Sequence, residues 1–279
     1  MKTIQEVLSL AAEYLQNKSL HNPKREAEDL LAALLKCKRL DLYLRFDQPL
    51  QENELVLMRE WTKRRGLGEP LEYLTKEVEF FGVQLELSPA VLIPRQETEI
   101  LASKIAEKVD SQKIKSLWDV CCGSGAIGLA LKKKFPQVEV SLSDISKEAL
   151  DVARRNAQKN SLNVNLLQGD LFAPFTDQKA DLIVCNPPYI SESEYLKLDP
   201  SVRHFEPKRA LVGGEDGLEF YRSLATEAGG YLRPGGVLCL EIGHDQGEEV
   251  LKLFSLWKKK ILEKDWSGRD RFVFCLENE

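Results

Sequence analysis

The chain has 279 residues, of which 43% are hydrophobic and 30% charged, a composition typical of folded globular proteins. Its formal net charge of -5 argues against a protein that binds nucleic acid through a broadly basic surface. No apolar run approaches the roughly 20 residues that a membrane-spanning helix needs, and the amphipathic, acid-containing start is unlike a signal peptide. These properties favour a cytoplasmic protein with no membrane partner.

The six cysteines contain no Cys-x-x-Cys pair, and most of them lie within apolar segments. This pattern favours reduced core residues over a disulfide framework or a zinc site. The three histidines are too scattered along the chain to indicate a metal centre. We therefore expect a protein that works without a bound metal.

Residues 1–75 have the apolar spacing of a small helical bundle. Asn22 and Pro23 suit the N-cap and the first turn of its second helix. A third helix is predicted through the segment "ENELVLMREWTKRR". A separate helical unit ahead of an enzyme domain often binds the substrate or a partner, so we expect residues 1–75 to form a substrate-recognition domain.

Residues 76–93 are expected to form a β-hairpin linker, because "EVEFFGVQLELS" is strand-like on both sides of Gly82. Residues 94–279 then form the main domain, which opens with a helix after Pro94. From Ser116 onward strands alternate with helices, which predicts a doubly wound, Rossmann-like parallel sheet. The tail breaks the alternation, since two strands joined by "WSGRD" must include one that runs antiparallel. The prediction is therefore an α/β fold with a mixed sheet of seven strands, preceded by a small all-α domain.

The segment "WDVCCGSGAIGLAL" combines a strand, a glycine-rich turn and a helix. Gly123, Gly125 and Gly128 form a G-x-G-x-x-G pattern, and Asp144 ends the next strand at a spacing that suits a ribose-binding carboxylate. Any nucleoside cofactor over this turn needs such a close backbone approach. The pattern alone therefore leaves both a nicotinamide dinucleotide and S-adenosylmethionine open.

Three further features favour S-adenosylmethionine. Asp119 lies in the strand before the turn, where it could organise the loop around the methionine ammonium group. Asp170 ends the third strand in "QGDLF", a position suited to the adenine edge, and Phe172 is available to lie on the adenine ring. Finally, the fourth strand ends in "NPPY", which hydride transfer does not require.

The "NPPY" segment ends its strand because two consecutive prolines cannot continue a sheet ladder. The side-chain oxygen of Asn186 and the backbone carbonyl of Pro187 can each accept one hydrogen bond from a substrate NH2 group. Those bonds orient the nitrogen and favour exposure of its lone pair to the methyl group. Pro188 restrains the same backbone, and Tyr189 can pack over a planar amide. A glutamine amide and a nucleobase amine both fit this chemistry.

Seven motifs are spread along the chain: "GEPLEYL", "VLIPRQETE", "DVCCGSGAIGLAL", "NPPYI", "FEPKRALVGGEDGL", "LEIGHDQG" and "GRDRFV". Together with the N-terminal helical domain they carry a resemblance to a known family that covers nearly the whole chain. In this combination the chain resembles the class I S-adenosylmethionine-dependent methyltransferases and, among them, the peptide chain release factor N5-glutamine methyltransferases of the HemK/PrmC family. The resemblance implies methyl transfer to the glutamine of the Gly-Gly-Gln motif of class I release factors. S-adenosyl-L-homocysteine is then the product, and no direct nucleic-acid contact is expected.

The resemblance also implies roles for individual residues. Asp144 would bind the ribose, Phe172 would flank the adenine, and Asn186 would touch both cofactor and substrate. The cofactor loop would comprise Cys121, Cys122, Gly123, Ser124 and Gly125, and the target glutamine would be held by Asn186, Pro187, Pro188 and Tyr189.

The sequence departs from the family pattern at two positions. Cys121 stands where the family usually has a glycine, and Gln96 stands where it usually has a proline. Because a side chain disfavours the left-handed region, we expect φ at Cys121 to stay negative. The cofactor loop should then be slightly remodelled around it.

Several neighbouring residues have two possible roles. Glu97 and Thr98 either line a wall near the cofactor or cap a helix, and Arg95 either anchors a loop or contacts the substrate protein. The "EPKR" segment and the glycine pair Gly213–Gly214 are expected to build a loop beside the pocket, which could serve as a lid.

Two other functions compete with glutamine methylation. A DNA or RNA amino-group methyltransferase would use the same "NPPY", but the acidic charge and the lack of a sizeable target-recognition insert argue against it. A non-enzymatic adaptor with a vestigial cofactor fold is the second alternative. The intact Gly123, Gly125, Asp144 and Asn186 argue against an adaptor.

Overall fold

The computed structural model describes residues 2–110 and 112–276, which form two compact units. One unit contains residues 2–76 together with Pro200–Phe205, and the other contains residues 77–199 and 206–276. Within the described ranges, no helix has both the length and the apolar character needed to cross a membrane.

The first unit is helical, as its apolar spacing predicts. Leucines on facing helices, including Leu15, Leu30 and Leu31, are fully buried and form its core. Such an apolar stripe at helical spacing is what drives short helices to pack together. The helices of this unit are α1 (Ile4–Asn17), α2 (Pro23–Leu34), α3 (Arg39–Tyr43), α4 (Glu52–Arg65), α5 (Leu71–Thr75) and, from later in the chain, Pro200–Phe205.

The start of α2 differs from the prediction. Asn22 has a left-handed backbone (φ 55°, ψ 53°), and its side chain makes no capping hydrogen bond. Pro23 occupies the first turn as predicted. Its fixed φ and missing N–H suit that position, so the helix begins there without a side-chain cap.

The second unit begins with an antiparallel hairpin of β1 (Glu77–Phe80) and β2 (Val83–Glu86), with Gly82 in the turn. The hairpin is part of this compact unit. The remaining elements in chain order are α6 (Gln96–Lys108), β3 (Ser116–Val120), α7 (Ala126–Lys134), β4 (Glu139–Asp144), α8 (Lys147–Lys159), β5 (Asn165–Gln168), β6 (Ala180–Cys185), α9 (Glu192–Tyr195), α10 (the Pro200–Phe205 helix of the first unit), α11 (Glu219–Tyr231), β7 (Leu232–Glu241), α12 (Gly247–Leu253), β8 (Lys259–Lys264) and β9 (Asp270–Leu276).

The large sheet of the described residues has seven strands in the order β5-β4-β3-β6-β7-β9-β8. The first five of these run parallel, whereas β9 is antiparallel to both β7 and β8. The predicted mixed, doubly wound sheet and the antiparallel tail are therefore confirmed. The chain runs outward from β3 to β4 and β5 and then crosses back to β6, on the other side of β3. That switch point is where open α/β sheets bind ligands, at the carboxyl ends of the strands.

Strand β6 shows why both faces of the sheet are covered by helices. Its side chains alternate between the two faces, as in any strand. Leu182 and Val184 join the core cluster packed by α6, α7 and α8. Ile183 and Cys185 join the cluster packed by α11 and α12. The strand is therefore apolar on both faces. The first polar side chain after it, Asn186, marks the site at its end.

Candidate functional site

A cavity of about 920 Å³, counting the space open to solvent, lies at the carboxyl ends of β3, β4 and β6. This size suits a small-molecule or cofactor site. Seven of the predicted cofactor residues line it, and three do not. The seven are Asp119, Cys121, Cys122, Gly123, Ser124, Asp144 and Asn186, whereas Gly125, Asp170 and Phe172 are outside the lining.

The glycine-rich turn between β3 and α7 forms one wall of the cavity. Gly123 and Gly125 have φ of 54° and 79°, a conformation that glycine adopts without strain. A Cβ added at Gly123 would meet no atom within 4 Å. At Gly128, a Cβ would lie 2.2 Å from Leu142, so this glycine permits the close packing of α7 on the sheet.

A buried asparagine that the sequence analysis missed supports this turn. Asn156 on α8 is fully buried, and its Nδ2 donates to the carbonyl of Ser124 at 2.9 Å. The sequence signal for this role was an amide side chain on the apolar face of a predicted helix. Asn156 therefore fixes the middle of the turn from the neighbouring helix.

The expectation that φ at Cys121 stays negative is wrong. Its φ is 58°, in the left-handed region. A left-handed backbone costs roughly 1–2 kcal/mol for a residue with a side chain. The next residue is held firmly, because the N–H of Cys122 donates to the carbonyl of Ser143 at 2.9 Å. The sheet edge thus imposes the backbone conformation on Cys121.

Asp144 lies where a ribose-binding carboxylate is predicted, at the end of β4. Its Oδ2 accepts the N–H of Gly123 at 2.9 Å, and its Oδ1 accepts the N–H of Ser146 at the same distance. Burial raises the pKa of Asp144, while these two N–H groups and the positive charge of Arg209 oppose the rise. Arg209 also lines the cavity. The loop that carries Arg209 therefore lies beside the pocket, as predicted.

Asp119 is buried beneath the glycine turn. Its Oδ2 accepts the N–H of Gly128 at 2.7 Å, which ties β3 to the first turn of α7. Burial raises the pKa of Asp119 to about 7, although the Gly128 N–H opposes the rise. A buried carboxyl group with a strongly raised pKa in a cavity wall is a marker of a functional site.

The adenine contact predicted for Phe172 is wrong. Its ring is buried in the core and stacks on Tyr231 with centroids 4.7 Å apart, so it cannot lie on a ligand in the cavity. Leu171 lines the cavity instead, and its backbone is left-handed, with φ of 40°. Asp170 is exposed and lies beyond the end of β5, so its contact with an adenine edge stays a prediction.

Ile145 is an apolar flank that the sequence analysis missed. It lines the cavity directly after Asp144 and is 60% exposed, unusual for a large apolar side chain. An isoleucine following an acidic strand end was the available signal. Ile145 and Leu171 provide apolar surface for a planar ring.

Asn186 and Pro188 bring the "NPPY" segment into the cavity wall. The Nδ2 of Asn186 donates to Oγ1 of Thr98 at 3.2 Å. Pro187 is buried and Tyr189 half-buried, and neither is in the lining. None of the hydrogen bonds among the described residues uses the carbonyl of Pro187.

The loop after α10 holds the "NPPY" backbone rigidly. Ile190 donates to the carbonyl of Leu211 and accepts from the N–H of Gly213, both at 2.9 Å. A Cβ at Gly213 would lie 2.3 Å from the carbonyl oxygen of Pro188, so only glycine fits there. This loop is therefore a wall fixed to the "NPPY" turn. Its glycine allows the two backbones to pack closely together.

Gln246 holds the same turn from the other side. It is 8% exposed, and its Nε2 donates to the carbonyl of Tyr189 at 2.9 Å. Its Oε1 accepts the N–H of Gly243 at 2.9 Å. The motif "LEIGHDQG" therefore supports the site from behind, a role that its sequence did not reveal.

At the start of α6 the structure supports one of the two possible roles for Thr98 and for Arg95, and neither role for Glu97. Thr98 is buried in the cavity wall, and the N-terminus of α6 has no side-chain cap. Glu97 is not part of the lining. Arg95 is a loop anchor, since its guanidinium forms an ion pair with the buried carboxylate of Glu206, which also accepts the N–H of Ile93 at 3.1 Å.

The residues present fit S-adenosylmethionine. The open space beside Gly123 admits a ligand against bare backbone, Asp144 offers a carboxylate to ribose hydroxyls, and Ile145 with Leu171 provides an apolar slot. Asn186, at the far wall, offers polar atoms for an acceptor. The cavity therefore combines a nucleoside site with a second polar site.

Comparison with known families gives two matches. The methyltransferase small domain matches residues 96–199, which include the glycine turn and the "NPPY" segment. The PrmC N-terminal domain matches residues 6–75, which lie in the helical unit.

The chain is also similar over its length to curated proteins. A release factor glutamine methyltransferase of Chlamydia trachomatis is 46% identical over 279 residues, covering 99% of this chain and 94% of the relative. The protein of the same name in Geobacter sulfurreducens is 42% identical over 273 residues, covering 97% of this chain and 95% of the relative. That of Moorella thermoacetica is 39% identical over 282 residues, with 99% of both chains covered.

Solved structures share the fold at low identity. A methyltransferase from Pyrococcus furiosus has a TM-score of 0.53 at 21% identity and covers 71% of this chain and 91% of its own. The Thermus thermophilus 16S rRNA N2 G1207 methyltransferase, solved with AdoMet and guanosine, has a TM-score of 0.55 at 18% identity. The match covers 72% of this chain and 50% of that protein. At these identities the likeness concerns the fold alone.

Proposed function

The chain belongs to the release factor glutamine methyltransferase family, and we propose that it methylates the side-chain N5 of the glutamine in the Gly-Gly-Gln motif of class I release factors. The methyl donor is S-adenosyl-L-methionine, and the product is S-adenosyl-L-homocysteine. The observation that carries the proposal is the position of Asn186, in the cavity wall with its amide nitrogen bonded to Thr98.

The cofactor's place follows from the fit of the cavity. Asp144 would hold the ribose hydroxyls, Ile145 and Leu171 would flank the adenine, and the backbone at Gly123 would lie against the ligand. When bound, S-adenosylmethionine supplies a methyl group already activated by its sulfonium sulfur. Little chemical activation is then asked of the protein, whose main task is to position the acceptor nitrogen.

The acceptor nitrogen is positioned by two oxygens. Because Nδ2 of Asn186 is bonded to Thr98, its Oδ1 is the atom left to accept a substrate N–H. The carbonyl of Pro187 accepts the second N–H. With both hydrogens held, the nitrogen presents its lone pair to the methyl carbon and its developing positive charge is stabilised. The residues of this chain would thus bind and orient the acceptor amide, and the surplus proton of the methylated nitrogen would leave to water.

Tyr189 contributes through its position next to these acceptors. Its side chain packs against the core of the second unit, and burial raises its pKa above the ordinary value. The phenol is therefore neutral at physiological pH and takes no part as a base. Its packing against the planar amide of the substrate stays a prediction, because its ring lies outside the cavity lining.

The helical unit is proposed to recognise the release factor. It is compact by itself, and the family domain that it matches is separate from the methyltransferase domain. A glutamine in a flexible tripeptide motif offers little surface, so a specific enzyme needs contacts elsewhere on the substrate protein. Translation termination also places the proposed reaction in the cytoplasm, in keeping with the six free cysteines.

The proposed function is tested with radiolabelled S-adenosylmethionine. Purified protein is incubated with a class I release factor, with the same factor carrying Gln→Ala in its Gly-Gly-Gln motif, and separately with DNA and rRNA. We expect label only on the unaltered release factor. Label on nucleic acid without label on the factor would instead support the amino-group methyltransferase alternative.

A further inference from the structure

Helix α8 carries two asparagines one helical turn apart, Asn156 and Asn160, and both bind the outer edge of the β1–β2 hairpin. Oδ1 of Asn156 accepts the N–H of Glu86 at 2.6 Å, and its Nδ2 donates to the carbonyl of Glu86 at 3.1 Å. Asn160 makes the same pair of bonds with Gln84, at 3.0 and 2.8 Å. The spacings match, because residues four apart share a helix face and residues two apart direct their backbone groups to one edge of a strand. The two amides therefore pair with β2 along the edge where another strand could otherwise add.

The two asparagines differ in where the second hydrogen of the amide goes. Nδ2 of Asn156 also donates to the carbonyl of Ser124, in the glycine turn, at 2.9 Å. Nδ2 of Asn160 instead donates to the carbonyl of Asn156, within its own helix, also at 2.9 Å. Of these two residues, Asn156 is therefore the one that joins the hairpin to the glycine turn.

The N–H of Glu86 determines which way the Asn156 amide is turned. An amide side chain has one oxygen that accepts hydrogen bonds and two hydrogens to donate. A backbone N–H can only donate, so it requires the oxygen of Asn156 on its side and directs the NH2 group to the two carbonyls. Asn156 is fully buried, so an amide turned the other way would leave these backbone groups without partners. The hairpin thus sets the orientation of the amide that holds Ser124.

The bond to Ser124 acts on backbone that faces the cavity. Ser124 lines the cavity, and the space beside the neighbouring Gly123 is open. The peptide between Ser124 and Gly125 is held at both ends, because the N–H of Gly125 donates to the carbonyl of Cys122 at 2.8 Å. Glycines on both sides of Ser124 would otherwise allow this backbone many conformations. A turn already held in one conformation avoids the cost of ordering when a ligand binds.

We propose that Asn156 is a positioning residue for S-adenosylmethionine and that Glu86, in β2, supports the cofactor site through it. Glu86 orients the Asn156 amide, and the amide holds the carbonyl of Ser124, so that the glycine turn is ready for the ligand. Both Asn156 and Glu86 are outside the cavity lining. The inference rests on the cofactor named in the proposed function, but it is independent of which acceptor is methylated.

The first experiment compares Asn156→Ala with Asn160→Ala in the full chain. The dissociation constant for S-adenosylmethionine, measured by calorimetry, should rise about tenfold in Asn156→Ala and stay within about twofold in Asn160→Ala. With a release factor and saturating cofactor, kcat should stay within about threefold in both variants. Both lose bonds to the hairpin, so the unfolding midpoint should fall in both. A residue that supports only the fold would lower the midpoint without raising the dissociation constant.

The second experiment makes the matching change in the hairpin and leaves α8 intact. Glu86→Pro removes the N–H that bonds to Asn156, and Gln84→Pro removes the one that bonds to Asn160. Proline is tolerated at such an edge, where the N–H faces away from the partner strand. The dissociation constant should rise about threefold in Glu86→Pro and stay unchanged in Gln84→Pro. Glu86→Ala keeps the N–H and loses only the ion pair with Arg155, so it should also leave the dissociation constant unchanged.

Two results would overturn the inference. One is an Asn156→Ala variant that binds S-adenosylmethionine as tightly as the unaltered protein. The other is an equal loss of affinity within either pair, Asn156→Ala with Asn160→Ala or Glu86→Pro with Gln84→Pro. Because affinity is measured without a release factor, the expected pattern of dissociation constants supports the inference even where no release factor is labelled. Absence of label overturns only the proposed function.

Discussion

An aspartate lies at each end of the large sheet: Asp181 at the amino end of β6 and Asp119 at the carboxyl end of β3. Their surroundings are opposite. At the amino end, Asp181 accepts the N–H groups of Lys115 and Ser116 at 2.7 and 2.9 Å and forms an ion pair with Arg233 at 2.9 Å. Burial raises the pKa of Asp181, but these partners outweigh burial and leave it below the ordinary value. At the carboxyl end, Asp119 has one backbone partner and a pKa raised to about 7.

This difference separates stability from function within one sheet. At the amino end, the charge of Asp181 is compensated by hydrogen bonds and by the positive charge of Arg233, as expected of a structural site. The carboxyl end keeps Asp119, Asp144 and Glu241 incompletely compensated and holds Cys121 in a left-handed conformation. Such costs persist where the surrounding fold maintains them for a ligand.

The largest expected effect comes from Asn186→Ala. Loss of the amide oxygen removes the group that orients the acceptor, so kcat should fall by at least about 100-fold. Affinity for S-adenosylmethionine, measured by calorimetry, should remain within about threefold. The matched control is Asn165→Ala, at the amino end of β5, which should leave both values unchanged. Complete loss of cofactor affinity in Asn186→Ala would show that its role is assigned wrongly.

Asp144→Asn should act on cofactor binding. Replacing the carboxylate weakens its charge-assisted hydrogen bonds to ribose hydroxyls, so the dissociation constant should rise about ten- to 100-fold. The same substitution at Asp181 tests the comparison, because it should leave the dissociation constant unchanged. Equal losses in the two variants would mean that the ends of the sheet do not differ as described.

Asp119→Asn should change how stability depends on pH. Since the pKa is raised from 3.8 to about 7, the folded chain holds a proton between those values that the unfolded chain has lost. The free energy of unfolding should therefore fall as pH rises through that window. In the asparagine variant this fall between pH 5 and pH 8 should be smaller by roughly 2 kcal/mol. Urea unfolding at pH 5 and pH 8 measures the effect.

Asp181→Asn is the control for that measurement, with the opposite sign. Its pKa is lowered, so its contribution is present above the ordinary value near 3.8 and is lost in more acidic solution. The variant should be less stable by about 1–2 kcal/mol at neutral pH, and the deficit should shrink below pH 4. The same pH trend in both variants would contradict the comparison.

The smallest expected effect is a gain from Cys121→Gly. Glycine relieves the left-handed strain, and after its greater unfolded-state entropy is subtracted a stabilisation of about 0.5–1 kcal/mol should remain. Thermal unfolding provides the measurement. Cys37→Gly, at a position without positive φ, should lose a similar amount of stability.

The sequence predicted the parts of the site that depend on residue type at a strand end. Two prolines had to stop β6, and Asp144 had to end β4 beside the glycine turn. Pro188 and Asp144 line the cavity as expected, whereas Pro187 does not. Asn186 also reached it, although its bond to Thr98 could not be read from spacing. The antiparallel tail was readable because no helix separates its two strands.

The failures arose where context overrides residue preference. The sheet edge imposes a left-handed φ on Cys121, and Phe172, which follows the left-handed Leu171, is buried in the core. Glu241 ends an apolar strand, and its burial depends on the packing of β7 against β6 and α6. Contacts between segments distant in the chain carry no local sequence signal.

The central claim is that the methyl group reaches a glutamine side chain. Its most direct test is mass spectrometry of the release-factor peptide that contains the Gly-Gly-Gln motif, after incubation with the protein and S-adenosylmethionine. We expect one added methyl group, with fragmentation assigning it to the glutamine side-chain nitrogen. An unmodified peptide, or a methyl group on another residue, would contradict the claim.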